Sequence, residues 1–256
     1  MTVSLPSYGN PRSAADETTQ SALHRAIARW RAHFADADWP FTLQDEICRY
    51  VLRRCTSPDD RVHRWAMYDL LAELLVSGEV ALDVPECNLD QDRGEISEIV
   101  VHHSHSQPDI TADRLSAMGL LRLYIPVHWS KSNSSHQRTT LSSGHWHGER
   151  QVFYAYHWLI RPDASMQRLL GDHEIGWHAG DWTVNQRSVA VCLAGDYSSR
   201  MPSATVLAML SQICDRYPDA EVRPHCHINP GTSCPGKWAR YQNLAVILRR
   251  AGLKDA

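Results

Sequence analysis

The chain has 256 residues, of which 43% are hydrophobic and 21% charged, a balance typical of a soluble globular protein. Its 26 Lys and Arg against 29 Asp and Glu give a net charge of −3, which excludes the broad basic field of nucleic-acid-binding proteins. No stretch approaches the roughly 20 apolar residues of a membrane span, and the N-terminus lacks a signal-peptide pattern. We therefore expect a cytoplasmic protein with neither nucleic acid nor membrane as partner. Release by lysis or by a dedicated export route would leave no mark in the sequence.

Composition divides the chain into four parts. Residues 1–20 are polar and contain Gly and Pro, which predicts a flexible tail. Residues 21–80 carry apolar side chains at helical spacing and predict a small helical unit, and the acidic residues 81–96 predict a linker. From residue 97 to residue 256, short β-type runs alternate with helical patterns, which is typical of an α/β domain.

The N-terminal unit has one helix with clear start and stop signals. Ser57 suits the N-cap, Pro58 suits the first helical position, and Gly78 suits the C-terminal end. Two earlier helices are predicted at Ser21–Ala37 and at Thr42–Arg54. The role of this unit is left open by its sequence.

The α/β part is expected to form a mixed central β-sheet flanked by helices. Its predicted strands are Glu98–His103, Phe153–Ile160, Ser188–Ala194 and Val222–Pro224, and its predicted helices are Ser203–Arg216 and Lys237–Ala251. The polar, Ser-rich residues 130–150 predict a surface loop, in which His145 and His147 should be solvated.

Two segments offer metal ligands. His102 and His103 end the first strand, and neighbouring side chains on a strand point to opposite faces, so only one of them can bind a metal. A Pro- and Gly-bent loop at 223–236 then offers a second set of candidates: His225, Cys226, His227 and Cys234. Two imidazoles and one thiolate suit a catalytic zinc ion, which keeps three protein ligands and one open position. The sequence therefore predicts an open zinc site.

Several motifs occur in an order that resembles the zinc amidases of amidase-type phage lysozymes and of peptidoglycan recognition proteins. They are HHS after a hydrophobic strand, then YHWLIRPD, GWHAGDW, NQRSVAVCLAGDY and INPGTSCPG. The resemblance covers about residues 97–251. It implies the fold of that family, Zn²⁺ as cofactor, and His102, His225 and Cys234 as the metal ligands.

The resemblance also implies an activity, the hydrolysis of the amide between N-acetylmuramic acid and L-alanine in peptidoglycan or muropeptides. Tyr156 and Thr232 match positions that stabilise the reacting oxyanion, and His178 and Asn185 match positions at the substrate groove. We add Trp182 as a substrate-binding candidate, because this aromatic side chain could stack on sugar or peptide or could simply pack in the core.

Some positions depart from the family pattern. Pro224 and Ala155 replace glycines that often precede the ligand His and the Tyr, and the loop at 130–150 is longer than usual. Two other functions are therefore considered. One is a recognition module that binds peptidoglycan without cleaving it. The other is a cysteine hydrolase with Cys234 as nucleophile and His225 as base. For the N-terminal helical unit, cell wall, a partner protein and the rest of the chain are all possible binding partners.

Overall fold

A mixed five-stranded sheet flanked by helices forms the centre of the computed structural model, with strand order β5-β4-β6-β1-β7. The predicted fold class is thereby confirmed, including the helical N-terminal region. The structure describes residues 14–55, 57–83, 89–135, 141–240 and 244. The predictions made for residues 1–13 of the tail, for part of the linker and for most of the terminal helix lie outside the described residues.

The strands are β1 (Glu98–His103), β2 (His145–His147), β3 (Arg150–Val152), β4 (Trp158–Ile160), β5 (Met166–Arg168), β6 (Ser188–Leu193) and β7 (Glu221–Pro224). The α-helices are α1 (Ala14–Phe34), α2 (Trp39–Thr42), α3 (Gln44–Glu46), α4 (Pro58–Ser77), α5 (Ala112–Gly119), α6 (Ile125–Ser135), α7 (Trp182–Arg187), α8 (Ala204–Cys214), α9 (His225–Ile228) and α10 (Lys237–Arg240). Two wider π-helical turns, Ile47–Leu52 and Leu120–Tyr124, and one 3-10 turn, Leu89–Asp92, complete the described elements. No helix in the described part of the chain has both the length and the apolar character needed to cross a membrane.

The capping signals of α4 act as predicted. The Ser57 side chain accepts a hydrogen bond from the Asp60 backbone amide at 3.0 Å, and Gly78 ends the helix in the left-handed conformation with φ 75°. The two earlier helices differ from expectation. α1 begins at Ala14 rather than at Ser21, and the predicted helix Thr42–Arg54 is divided among the end of α2, α3 and a π-helical turn.

One hydrophobic core joins the helical region to the rest of the chain. Its buried side chains come from both sides of the predicted linker and include Trp30, Phe34, Leu71, Leu121, Phe153 and Tyr154. Two indole groups add hydrogen bonds: Trp129 Nε1 donates to the Pro40 carbonyl at 3.0 Å, and Trp39 Nε1 donates to the Ala81 carbonyl at 2.9 Å. The helical region therefore packs directly on the α/β region.

The sheet has a buried parallel centre. β1 pairs in parallel with β6 on one side and with β7 on the other, and all six of its residues are buried. β4 continues the parallel arrangement next to β6, and β5 closes that edge in an antiparallel pairing. Because side chains alternate along a strand, Ile99 and Val101 pack in the core against α8, whereas His102 points to the opposite face.

The strand predicted at Phe153–Ile160 is wrong in its first half, since only Trp158–Ile160 belong to the sheet. The chain at Phe153 contacts α5 instead. The Phe153 amide donates to Ser116 Oγ at 2.9 Å, and a Cβ atom placed on Gly119 would lie 1.9 Å from the Phe153 carbonyl oxygen. This close approach draws residues 153–156 away from the strand pairing and towards α5.

The surface loop predicted at 130–150 is also wrong at both of its ends. α6 extends to Ser135, and β2 and β3 form a two-stranded antiparallel sheet. His145, expected to be solvated, is buried, with Nε2 3.2 Å from a carboxylate oxygen of Asp90, whereas His147 is exposed.

Candidate active site

The site lies where two neighbouring parallel strands end. His102 is near the carboxyl end of β1, and β7 ends at Pro224, directly before His225. Because β1 and β7 run in parallel, these two side chains meet, and their ring centroids are 4.5 Å apart. Cys234 joins them from the following loop, where its carbonyl accepts from the Cys226 amide at 2.8 Å and its Sγ accepts from the His103 amide at 3.3 Å. One ligand atom from each of His102, His225 and Cys234 lies within 4.8 Å of the other two.

Hydrogen bonds to the outer ring nitrogens leave the inner nitrogens for a metal. His102 Nε2 is 3.0 Å from His178 Nδ1, while His102 Nδ1 is 3.8 Å from the Cys234 sulfur. His225 Nε2 is 3.2 Å from the Ala179 carbonyl oxygen, so His225 also has Nδ1 left for coordination. Metal-ligating histidines typically donate their other ring N–H in this way. The three side chains therefore fit a thiophilic divalent ion such as zinc, by donor chemistry and by arrangement.

Burial sets the protonation of these groups. It lowers the pKa of His102 and of His178 well below the usual value, assisted by the charges of neighbouring histidines, so both rings are neutral at neutral pH. Burial also raises the pKa of the Cys234 thiol to about 12. A thiol with that pKa ionises at neutral pH only when a cation lies beside it. A coordinating metal ion meets this condition and deprotonates the thiol outright.

The rival ligands lie elsewhere. His103 points to the other face of β1, where its Nδ1 accepts from the Tyr197 amide at 2.9 Å, and it lies 3.8 Å from a carboxylate oxygen of Asp196. His227 is exposed and its Nε2 is 3.1 Å from the Arg240 carbonyl oxygen. Cys226 is buried but lies outside the group of three ligand atoms.

The two proposed oxyanion-stabilising residues both line the cavity beside the ligands. The Tyr156 ring centroid is 5.2 Å from that of His102. Burial raises the pKa of Tyr156 well above its usual value, which keeps its hydroxyl protonated and able to donate a hydrogen bond. Thr232 Oγ1 accepts from the Cys234 amide at 3.2 Å, and its own hydroxyl hydrogen stays available as a donor.

The three predicted substrate-binding residues are placed differently. His178 lines the cavity but also bonds His102, and its Nε2 is 3.0 Å from Ser188 Oγ. Asn185 is buried and does not line the cavity; its Oδ1 accepts from the amides of His178 and Ala179 at 3.2 and 2.9 Å. Trp182 is not among the lining residues either, and it packs edge-on against Trp177 at 6.0 Å. Asn185 therefore holds the loop that carries His178.

Sequence reasoning missed the wall opposite the ligands. The cavity has a volume of about 440 Å³, and this second wall is made by residues of α5 and of the π-helical turn that follows it. These residues are Leu115, Met118, Gly119, Arg122 and Leu123. The available signals were the helical spacing of apolar residues and the N-cap Thr111, whose Oγ1 accepts from the Arg114 amide at 3.2 Å.

The sequence defines the class of this chain as that of the amidases. Residues 92–237, more than half of the chain, match the family described as N-acetylmuramoyl-L-alanine amidase. The chain belongs to this amidase family.

Several solved structures are similar to this chain at low sequence identity. The Ph2119 endolysin from Thermus scotoductus MAT2119 bacteriophage Ph2119 is 16% identical over 62% of this chain and 86% of its own, with a TM-score of 0.42. The N-acetylmuramoyl-L-alanine amidase LysC from Clostridium intestinale URNW is 18% identical over 66% and 93%, with a TM-score of 0.43. Drosophila PGRP-LB is 17% identical over 59% and 85%, with a TM-score of 0.34. Among curated proteins, none matches the chain.

Proposed function

We propose that this protein is a zinc-dependent N-acetylmuramoyl-L-alanine amidase, which hydrolyses the amide between N-acetylmuramic acid and L-alanine in peptidoglycan or muropeptides. The observation that carries the proposal is the convergence of His102, His225 and Cys234 in one cavity, with the outer nitrogen of each imidazole already bonded elsewhere. Family membership supports amidase chemistry in general.

The ligand set would hold Zn²⁺ through two neutral imidazoles and one thiolate. When bound, zinc lowers the pKa of a coordinated water towards about 7 and polarises a carbonyl group. His178 holds the His102 ring: if His102 Nδ1 faces the metal, Nε2–H donates to His178 Nδ1, and His178 Nε2–H donates to Ser188 Oγ. This chain of hydrogen bonds assigns one tautomer to each ring.

Tyr156 and Thr232 are proposed to bind the oxygen of the substrate carbonyl as negative charge develops on it. Both hydroxyls are protonated donors at the cavity surface, and Tyr156 lies beside the ligand His102. The loss of one such donor typically lowers turnover by about 10²–10³-fold.

Two observations favour this proposal over its alternatives. A recognition module needs no complete ligand set, whereas all three ligand residues are present here and converge. A nucleophilic cysteine needs a lowered pKa, whereas burial raises the pKa of Cys234.

Metal content and turnover, measured together, test the proposal. We expect about one zinc per chain and release of free stem peptide from a muropeptide, lost on chelation and restored by zinc. Cys234→Ser should lose both zinc and activity. Cys214→Ser is the matched control, because burial also raises the pKa of this thiol to about 12 and it lies on α8, away from the cavity.

Each contrary outcome would point to a different function. Binding of muropeptide with zinc but without turnover would indicate a recognition module. Turnover that survives chelation but not thiol alkylation would indicate cysteine chemistry. If the folded chain bound neither zinc nor muropeptide, the proposal would be overturned.

A further inference from the structure

Among the described residues that line the cavity there is one arginine, Arg122. Arg122 lies in the π-helical turn Leu120–Tyr124, is exposed, and makes no hydrogen bond or ion pair to any residue that the structure describes. Neighbouring arginines are used differently: Arg114 pairs with Asp69, and Arg150 pairs with Asp113 at 3.0 Å. The side chain of Arg122 therefore remains available to a ligand in the cavity.

The backbone of this turn directs Arg122 into the cavity. Leu120, Leu121 and Tyr124 are buried in the hydrophobic core, while Arg122 and Leu123 line the cavity. A π-helical turn is wider than an α-helical one, and such turns frequently occur at functional sites. The three core residues anchor the turn, so the guanidinium group is presented from a fixed base.

The cavity offers Arg122 no acidic counter-charge. Its described lining contains no Asp and no Glu. Arg122 is close enough to Tyr156 for its positive charge to oppose, in part, the burial that raises the pKa of that phenol. A positive group without a counter-charge, in the cavity that holds the candidate ligands, suits a substrate that carries an anion near the scissile bond.

Building on the proposed function, we propose that Arg122 binds the free α-carboxylate of the second stem residue, D-glutamate, and so makes the enzyme selective against stems in which it is amidated to D-isoglutamine. In the muropeptide that is cleaved, L-alanine carries no charged side chain and both of its backbone ends are in amide bonds. The first anion along the stem is therefore the carboxylate of the next residue. A guanidinium group recognises a carboxylate through two parallel hydrogen bonds and loses much of that energy with a neutral amide.

The test compares two soluble substrates that differ only at this group. They are N-acetylmuramoyl-L-Ala-D-Glu-L-Lys, in which the lysine is attached to the γ-carboxyl of D-Glu and the α-carboxylate is free, and the same molecule with D-isoglutamine as the second residue. For the zinc-loaded protein we expect kcat/KM to be roughly 10–100-fold higher on the free acid, as expected for hydrogen bonds to a charged group. In Arg122→Gln this ratio should fall to about one, mainly through KM on the acid, with the amidated substrate and the zinc content little changed.

Control variants separate recognition from folding. Arg25→Gln removes an exposed arginine of α1, outside the cavity lining, and should keep the wild-type ratio. Arg122→Lys should keep part of the preference, since one charge remains without the bidentate geometry. An equal loss of activity on both substrates in Arg122→Gln, or a wild-type ratio of one, would overturn the assignment.

Failure of the proposed function would be visible separately. It would appear as no peptide release from either substrate by wild-type protein. In that case the affinities for the two uncleaved molecules, measured by calorimetry, are compared instead. A preference for the acid that is lost in Arg122→Gln supports the assignment, and equal binding of both overturns it.

Discussion

The two walls of the cavity are built on different principles. On the wall formed by the ends of β1 and β7, the ring nitrogens of His102 and His178 and the sulfur of Cys234 have hydrogen-bond partners within the protein. On the helical wall, Leu115 and Met118 are apolar and Arg122 has no partner among the described residues. A wall whose side chains are held by hydrogen bonds keeps one geometry, whereas an unpaired group is available to bind a ligand that enters. The difference suggests that the first wall determines the chemistry and the second determines the substrate.

Gly119→Ala should give the largest effect and should act on the helical wall. A Cβ atom at this position would lie 1.9 Å from the Phe153 carbonyl oxygen, so either α5 or the segment that carries Tyr156 must move. We expect a loss of about 3 kcal/mol in the free energy of unfolding, the upper part of the range for overpacking. Urea denaturation measures this loss.

The matched control for this variant is Gly94→Ala, where the new Cβ atom would have its nearest neighbour at 3.7 Å, an ordinary contact. That substitution should change stability by less than about 0.5 kcal/mol. If the comparison of the walls is right, Gly119→Ala also raises KM while zinc content stays at one per chain. Loss of zinc in a folded Gly119→Ala protein would show that the two walls are not independent.

His178→Ala should act on the wall formed by the ends of β1 and β7, which carries the candidate metal ligands. Removing the partner of His102 Nε2 leaves that ring free to rotate, so we expect zinc affinity to fall by about 10–100-fold. Competition with a chromogenic chelator measures the affinity, and activity should recover at high zinc. Unchanged zinc affinity with a raised KM would instead support the substrate-groove role that the family resemblance implies for His178.

Acid should lower the free energy of unfolding through His157. Burial lowers the pKa of His157 to about 3, and its ring bonds the Ala190 amide and the Glu174 carbonyl as a neutral group. Below the unfolded value of about 6.5 the unfolded chain binds the proton and the folded chain does not, so stability falls as the pH drops from about 6.5 to about 3. This group contributes a slope of up to about 1.4 kcal/mol per pH unit.

The slope is measured by urea denaturation at several pH values. His157→Gln should reduce the slope by up to about 1.4 kcal/mol per pH unit, which corresponds to one proton. His24→Gln, at an exposed position of α1, should leave the slope unchanged. An unchanged slope in His157→Gln would show that this ring is protonated in the folded state.

Local signals in the sequence were sufficient for part of the structure. The run of apolar residues at Glu98–His103 predicted β1 with its observed bounds, and the caps at Ser57 and Gly78 predicted α4, because both depend on interactions within a few residues. The three ligands were assigned through the family motifs. Their convergence depends on the parallel pairing of β1 and β7, which a single sequence does not display.

What was missed depends on contacts between distant segments. The residues Phe153–Tyr156 have strand-like composition, yet the packing of Gly119 and Ser116 against Phe153 draws them out of the sheet. In this segment a tertiary contact overrides the local pattern. Asn185 accepts hydrogen bonds from two backbone amides through its amide oxygen, and its predicted role in substrate binding stays a prediction.

The core that joins the helical region to α5 and the following turn has a practical consequence. Leu121 and Tyr124, which anchor the turn of Arg122, belong to the same core as Trp30 and Phe34 of α1. A shortened protein that starts near residue 97 would expose these apolar side chains to water and leave the substrate wall without its backing. We therefore expect that the matched residues 92–237 alone would not form a stable protein. Engineering of this amidase should keep the N-terminal helices.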